Sequence, residues 1–241
     1  MAKDRDYTGH AIAQHRSAER LREYCLTICP TAKSILDLGC GNGFETALLS
    51  DLFPTATIVA IDRNFDRIEE ARAVYQRPYI EYRVDTIEDY QGTGYDVIVS
   101  NASLHWLRSV GSISRFLAPK GTVIMSYYTP DTFRDLDSVL KSYFGCDIGL
   151  SAQRFLPFEQ VKSDMSQALH CVEVSREIIT LSFKSMLEVL RHIRHTGTRG
   201  EPVMPSVIWT PHAMKVMEAI YLKKYGKIQL SYDIVYSVWS K

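Results

Sequence analysis

Apolar residues in this chain of 241 residues fall into runs of two different periods. Short, nearly unbroken apolar runs occupy 34–38, 57–61, 79–84, 95–100 and 122–127. Each is too short for a helix and most are rich in Ile, Val or Tyr, so they read as buried strands. Between them the spacing turns helical. Residues 10–28 place Ile12, Leu21 and Leu26 among polar neighbours, and Phe44, Ala47, Leu48 and Leu52 form a helical stripe that Pro54 ends. A polar helix is predicted over 65–75. Another is predicted near 109–117, stopped by a Pro119-Lys120-Gly121 turn. Strands alternating with helices predict a parallel α/β sheet joined by right-handed crossovers.

Beyond residue 130 the pattern changes. Leu136, Val139, Leu140, Tyr143 and Phe144 mark a helix, and 145–168 reads as loop with a short helix. A strand is predicted over 172–181. Helices follow over 184–195 and 212–224, joined by a link containing Gly197, Gly200, Pro202 and Pro205. Ile228, Leu230, Tyr232, Ile234, Tyr236 and Val238 then alternate on one face, a strong strand signal. The last two strands form a hairpin-like pair with helices inserted between them. The expectation is a mostly parallel seven-stranded sheet, with an antiparallel last strand and a helical insertion that acts as a lid.

Charge narrows the partners. Lysine plus arginine equals aspartate plus glutamate at 28 each. No global field draws the chain to nucleic acid or to an anionic membrane, so none is expected as a partner. The five cysteines, Cys25, Cys29, Cys40, Cys146 and Cys171, are odd in number and lack metal-ligand spacing. They read as reduced thiols of a cytoplasmic protein, with no metal site. The charged start (Lys3, Asp4, Arg5, Asp6) has no apolar core of a signal peptide, and no apolar run approaches the roughly 18 residues of a membrane span.

The chemistry is concentrated after the first strand. Asp37 ends an apolar run, and Gly39, Gly41 and Gly43 follow as Gly-x-Gly-x-Gly. Dinucleotide enzymes use Gly-x-Gly-x-x-Gly, but here Phe44 stands at the third glycine's place, and no Gly-Lys-Ser/Thr of a phosphate loop follows. An acid just before the loop would repel a diphosphate and suits an amine-bearing ligand. S-adenosylmethionine has an ammonium, a sulfonium and a ribose diol but no phosphate. Asp37 would organise the loop and draw in the positive end, and Gly39 and Gly41 would let the backbone approach. Asp62, at the tip of the second strand, would take both ribose hydroxyls. Asp85 would accept from the adenine amine, with Thr86 and Ile87 along the ring, and Asn101 would end the fourth strand facing the ligand. All lie at carboxyl ends of parallel strands, where open α/β sheets bind ligands.

These motifs resemble the class I methyltransferases, whose Rossmann-like fold is therefore expected. Several stretches resemble the malonyl-acyl-carrier-protein O-methyltransferases of biotin synthesis in particular. They are the strand-four stretch Tyr95-Asp96-Val97-Ile98-Val99-Ser100-Asn101-Ala102-Ser103-Leu104-His105-Trp106-Leu107, the pair Tyr7 and Gln14, the run from Thr129 to Leu136, Arg154-Phe155, Ser182-Phe183 with the run from Leu187 to Thr198, and the closing tyrosine-rich strand. His105 stands where that family commonly has glutamine. The resemblance implies one methyltransferase domain over 1–241. Residues 1–33 would form an N-terminal cap, 34–130 the cofactor half, 131–226 the substrate half with the lid near 183–226, and 227–241 the final strand. It also implies methyl transfer from S-adenosylmethionine to the free carboxylate of malonyl-acyl carrier protein or malonyl-CoA. Tyr7, Phe183 and His105 would have closing, positioning and pocket roles, and Trp106, Arg154 and Arg194 would face the acceptor. A carboxyl of this kind, with a pKa near about 3.9, is already anionic at neutral pH, so the reaction needs no general base. Proximity and orientation supply on the order of 7–11 kcal/mol. Arg191, Arg194, His195 and Arg199, or Lys223, Lys224 and Lys227, would receive the acidic carrier. A trans-aconitate-type carboxyl methyltransferase and a non-catalytic S-adenosylmethionine-binding module remain open. The missing prolines after Asn101 speak against an amino-methylating DNA enzyme.

Overall fold

The computed structural model describes residues 12–196 and 209–241. In chain order it runs α1 (Ile12–Ile28), β1 (Ser34–Leu38), α2 (Phe44–Leu52), β2 (Thr57–Asp62), α3 (Phe65–Tyr75), β3 (Ile80–Val84), β4 (Tyr95–Asn101), β5 (Leu117–Tyr128), α4 (Arg134–Phe144), α5 (Phe158–Met165), β6 (His170–Phe183), α6 (Met186–His195), α7 (Pro211–Tyr225) and β7 (Ile228–Ser240). Seven strands form one sheet in the order β3-β2-β1-β4-β5-β7-β6. The first five are parallel, with Leu36 of β1 opposite Val59 of β2 and Ile98 of β4. The hydrogen bonds from Lys241 N to Gly121 O, and from Thr129 N to Asp233 O, rise along β5 as they fall along β7. That order of partners makes β7 antiparallel.

The chain packs as two compact units. One comprises Gln14–Tyr127, Leu156–Arg176 and Val235–Lys241; the other comprises residues 12–13, Tyr128–Phe155 and the described part of Glu177–Ile234. The core of the first holds Leu36, Leu38, Ile98, Phe116, Met125 and Trp239, all fully buried. In the second, Phe133 meets Tyr232 edge-on at 5.0 Å, and His192 Nε2 lies 2.7 Å from Tyr232 Oη.

The structure departs from the sequence reading in three places. The helix expected near 109–117 is a short 3-10 segment, Gly111–Phe116. The Pro119-Lys120-Gly121 turn lies inside β5, where the register with β4 shifts and Lys120 has φ 66°. Between the Tyr95–Leu117 and Val97–Thr122 pairs β5 carries three more residues than β4, and beyond them the pairing resumes. In α2 the buried residues are Glu45, Thr46, Ala47 and Leu49, rather than the stripe through Leu48 and Leu52. In β7 both faces are buried, the polar Ser231, Asp233 and Ser237 included.

Leu38→Ala would empty a fully buried position next to the glycine loop. Urea unfolding followed by circular dichroism should show a loss of about 2–5 kcal/mol. A loss well under about 1 kcal/mol would contradict this placement of the core.

Candidate active site

The glycine loop is fixed by backbone geometry before any ligand is considered. Ile61 O, at the end of β2, accepts from both Gly39 N (2.8 Å) and Cys40 N (3.0 Å). Gly39 and Gly41 have φ of 74° and 56°, the left-handed region that side chains disfavour. The two glycines serve different needs. A Cβ on Gly39 would lie 1.8 Å from Ser103 Oγ, so this position lets the loop after β4 approach. A Cβ on Gly41 would meet nothing within 4 Å, so this glycine faces open space. Gly43 packs the start of α2 against Ala71 and Tyr82. The close helix approach that a dinucleotide fold assigns to a later glycine is thus made at Gly43. Phe44, next in line, turns outward and stacks on His15 at 4.1 Å.

The acids around the loop differ in what they hold. Asp62 is half-buried, and its two oxygens accept from Gly41 N (2.9 Å) and Asn64 N (2.8 Å). Each oxygen keeps a lone pair for a further donor. That leaves Asp62 suited to a diol while it holds the loop to β2. Asp85 is half-buried and accepts from Thr86 N at 2.8 Å. The Thr86 hydroxyl accepts from Asp89 N (3.0 Å) and donates to Asp89 Oδ2 (2.7 Å), so it caps its own turn. Asp37 is buried; Thr46 Oγ1 donates to its Oδ2 at 2.6 Å, and its Oδ1 has no hydrogen-bond partner among the described residues. Burial raises the Asp37 pKa to about 7; the Thr46 hydrogen bond opposes this and the nearby Asp62 adds to it.

Asn101 closes the β4 side. Its Oδ1 accepts from Ser17 Oγ (2.5 Å) and Ser126 Oγ (2.7 Å), and its Nδ2 donates to Gln14 O (3.0 Å). The side chain therefore ties α1 to the ends of β4 and β5. Glu45, which the sequence reading did not single out, lies 3.5 Å from the same amide. Nothing in the local sequence marks it as buried.

His105 and Trp106 share the 3-10 turn Leu104–Trp106 after β4, with ring centroids 4.9 Å apart. His105 is buried, and desolvation pushes its pKa down to about 3. Its imidazole is neutral at physiological pH and is not a base there. Trp106 is 38% exposed. In the other unit, Phe183 is half-buried and edge-on to His192 at 5.1 Å, while Arg154 and Arg194 are exposed. Tyr7 and Arg199 lie outside the described residues. Among the described residues, no group of three or more His, Cys, Asp or Glu is placed to hold a metal, and no helix is long and apolar enough to cross a membrane.

An unpartnered buried carboxylate oxygen, an open glycine and a strand-end acid with free lone pairs fit an adenosyl ligand that carries an amine. The comparisons agree. A family model described as a methyltransferase domain matches residues 10–170, more than half of the chain. Two structures with this fold are a putative methyltransferase from Bacillus halodurans (TM-score 0.63, 15% identity, covering 94% of this chain and 99% of that one) and a geranyl diphosphate methyltransferase solved in complex with SAM (TM-score 0.54, 16% identity, covering 96% and 86%). The chain is a class I S-adenosylmethionine-dependent methyltransferase. Within that class it belongs to the family that includes the malonyl-[acyl-carrier protein] O-methyltransferases. The protein of that name from Bacillus anthracis is 30% identical over 78% of this chain and 72% of its own. The one from Legionella pneumophila is 26% identical over 96% and 84%.

Gly41→Ala separates folding from binding. The left-handed strain costs roughly 1–2 kcal/mol and the new methyl meets no protein atom. Thermal unfolding should fall by a few degrees only, while calorimetric affinity for S-adenosylmethionine drops at least about tenfold. Unchanged affinity would contradict the placement of the ligand over Gly41.

Proposed function

We propose that this enzyme transfers the methyl group of S-adenosylmethionine to the free carboxylate of malonyl-acyl carrier protein, or of malonyl-CoA, in the cytoplasm. The methyl ester would feed pimeloyl synthesis in biotin biosynthesis. The observation that carries this reading is the likeness of nearly the whole chain, beyond the cofactor half as well as within it, to proteins named for that reaction. The site chemistry supports it. The acceptor carboxylate arrives ionised, so the enzyme has to orient it and exclude water rather than take a proton from it. His105, made a weak proton acceptor by its burial, gives no such base and none is needed.

In this reading Asp37, Gly39, Gly41, Gly43 and Asn101 seat the amino-acid end of the cofactor. Asp62 takes the ribose hydroxyls, and Asp85 and Thr86 flank the adenine. When bound, the cofactor supplies an electrophilic methyl group on a sulfonium. Tyr7, Phe183 and His105 position and enclose the acceptor, and Trp106, Arg154 and Arg194 contact it. For the carrier, the exposed Arg191 and Arg194 of α6 make the better landing surface. In the lysine cluster, Lys224 Nζ is already bound to Ser138 O (3.1 Å) and Oγ (2.8 Å).

Purified protein with labelled S-adenosylmethionine should methylate malonyl-acyl carrier protein or malonyl-CoA, with trans-aconitate a poor acceptor. Transfer to aconitate alone, or to none of the three, would overturn the malonyl reading. Arg191→Glu should raise KM for the carrier substrate about tenfold and leave kcat alone; unchanged kinetics would remove the carrier from this helix.

A further inference from the structure

Glu45 is the strongest feature that the reading above leaves unused. It is 4% exposed, in the first turn of α2 directly behind the glycine loop. Its Oε2 lies 3.5 Å from Asn101 Nδ2, a long contact, and its Oε1 has no partner among the described residues. Asp37, 1% exposed, is in the same condition at its Oδ1. Two buried carboxyls therefore carry one unpartnered oxygen apiece, and Glu45 lies in the field of Asp37.

Among the described residues, no cation is paired with either. The titratable groups that face this pair are Cys25 on α1, Cys40 in the loop, Asp62 at the end of β2 and Tyr82 on β3, all of them acids. Buried carboxyls without a countercharge keep protons. In keeping with this, burial first and the neighbouring Asp37 second raise the Glu45 pKa well above the carboxylate range. Such a pair is costly to fold unless it waits for a positive ligand.

We propose that Glu45 is a further cofactor-binding residue, which with Asp37 forms a two-carboxyl seat for the ammonium of the S-adenosylmethionine amino-acid end, and that seating this cation expels a proton from the pair. The step balances: one carboxylic acid becomes a carboxylate, its proton passes to the buffer, and the new negative charge faces the ligand's positive one. Asn101, held by Ser17, Ser126 and Gln14 O, orients the Glu45 carboxyl. The seat reads the amino-acid end of the cofactor and not its adenosyl end. The inference rests on the glycine loop as the cofactor's place, and it is independent of which acceptor is methylated.

Calorimetry between pH 5.5 and 7 tests it. S-adenosylmethionine binding, measured in phosphate and in a buffer of high ionisation enthalpy, should release close to one proton, with affinity rising as pH rises. 5′-Methylthioadenosine has the adenosyl end without the ammonium, and its binding should release none. Glu45→Gln should weaken S-adenosylmethionine about tenfold or more, leaving 5′-methylthioadenosine affinity unchanged. Buffer-independent enthalpy for S-adenosylmethionine in the wild-type protein would overturn the proposal, whatever the variant does. Equal weakening of both ligands by Glu45→Gln would also overturn it, marking Glu45 as structural. Failure of both ligands to bind would overturn it together with the loop assignment.

Discussion

The tether between the glycine loop and the tip of β2 is the constraint on which the remaining site geometry depends. Ile61 O receives two loop amides, and the Asp62 carboxylate receives a third from Gly41 while holding Asn64 with its other oxygen. Three backbone donors are fixed at one strand end, so the loop cannot drift away from the sheet. The left-handed turns at Gly39 and Gly41 follow from that path, and so does the direction of α2. Asp62 is thereby both a structural anchor and an acid with lone pairs left over at the sheet's carboxyl edge.

A second set of contacts reaches the loop from the other side. Asn101 joins α1 to β4 and β5, and Ser103 fills the space that a side chain at residue 39 would need. Ser100 Oγ donates to Leu38 O at 2.8 Å, which locks β4 to the strand that leads into the loop. The result is a rigid rim of strand ends with buried acids beneath it. Such a rim binds by presenting fixed, incompletely satisfied acceptors, the kind of pre-organisation that spares a catalyst reorganisation during reaction.

Much of this was legible in the sequence for a simple physical reason: short apolar runs and Gly-x-Gly-x-Gly are local signals. The succession of β1 to β5 along the chain, the acids at strand tips and the helical insertion between β6 and β7 all followed from them. What escaped depends on residues far apart in the chain. The Asn101 hub joins residues 84 and 87 positions away, and no local pattern announces it. Glu45 was missed because a charged residue at a helix start reads as exposed, and here it is buried with its carboxyl 3.5 Å from the Asn101 amide. The Pro119-Lys120-Gly121 turn was misplaced because turn residues mark a bulge as well as a strand boundary. Arg154 and Arg194 came from family likeness rather than from any local pattern, and both are exposed.

A crystal structure of the protein with S-adenosylhomocysteine tests the central claim most directly, because that ligand keeps both the ribose and the amino-acid end. The account expects the ribose hydroxyls on Asp62 and the ammonium end over Gly41, within hydrogen-bond reach of Asp37 and Glu45. A ligand bound away from the β1 and β2 tips, or one whose amino-acid end points away from the glycine loop, would contradict it.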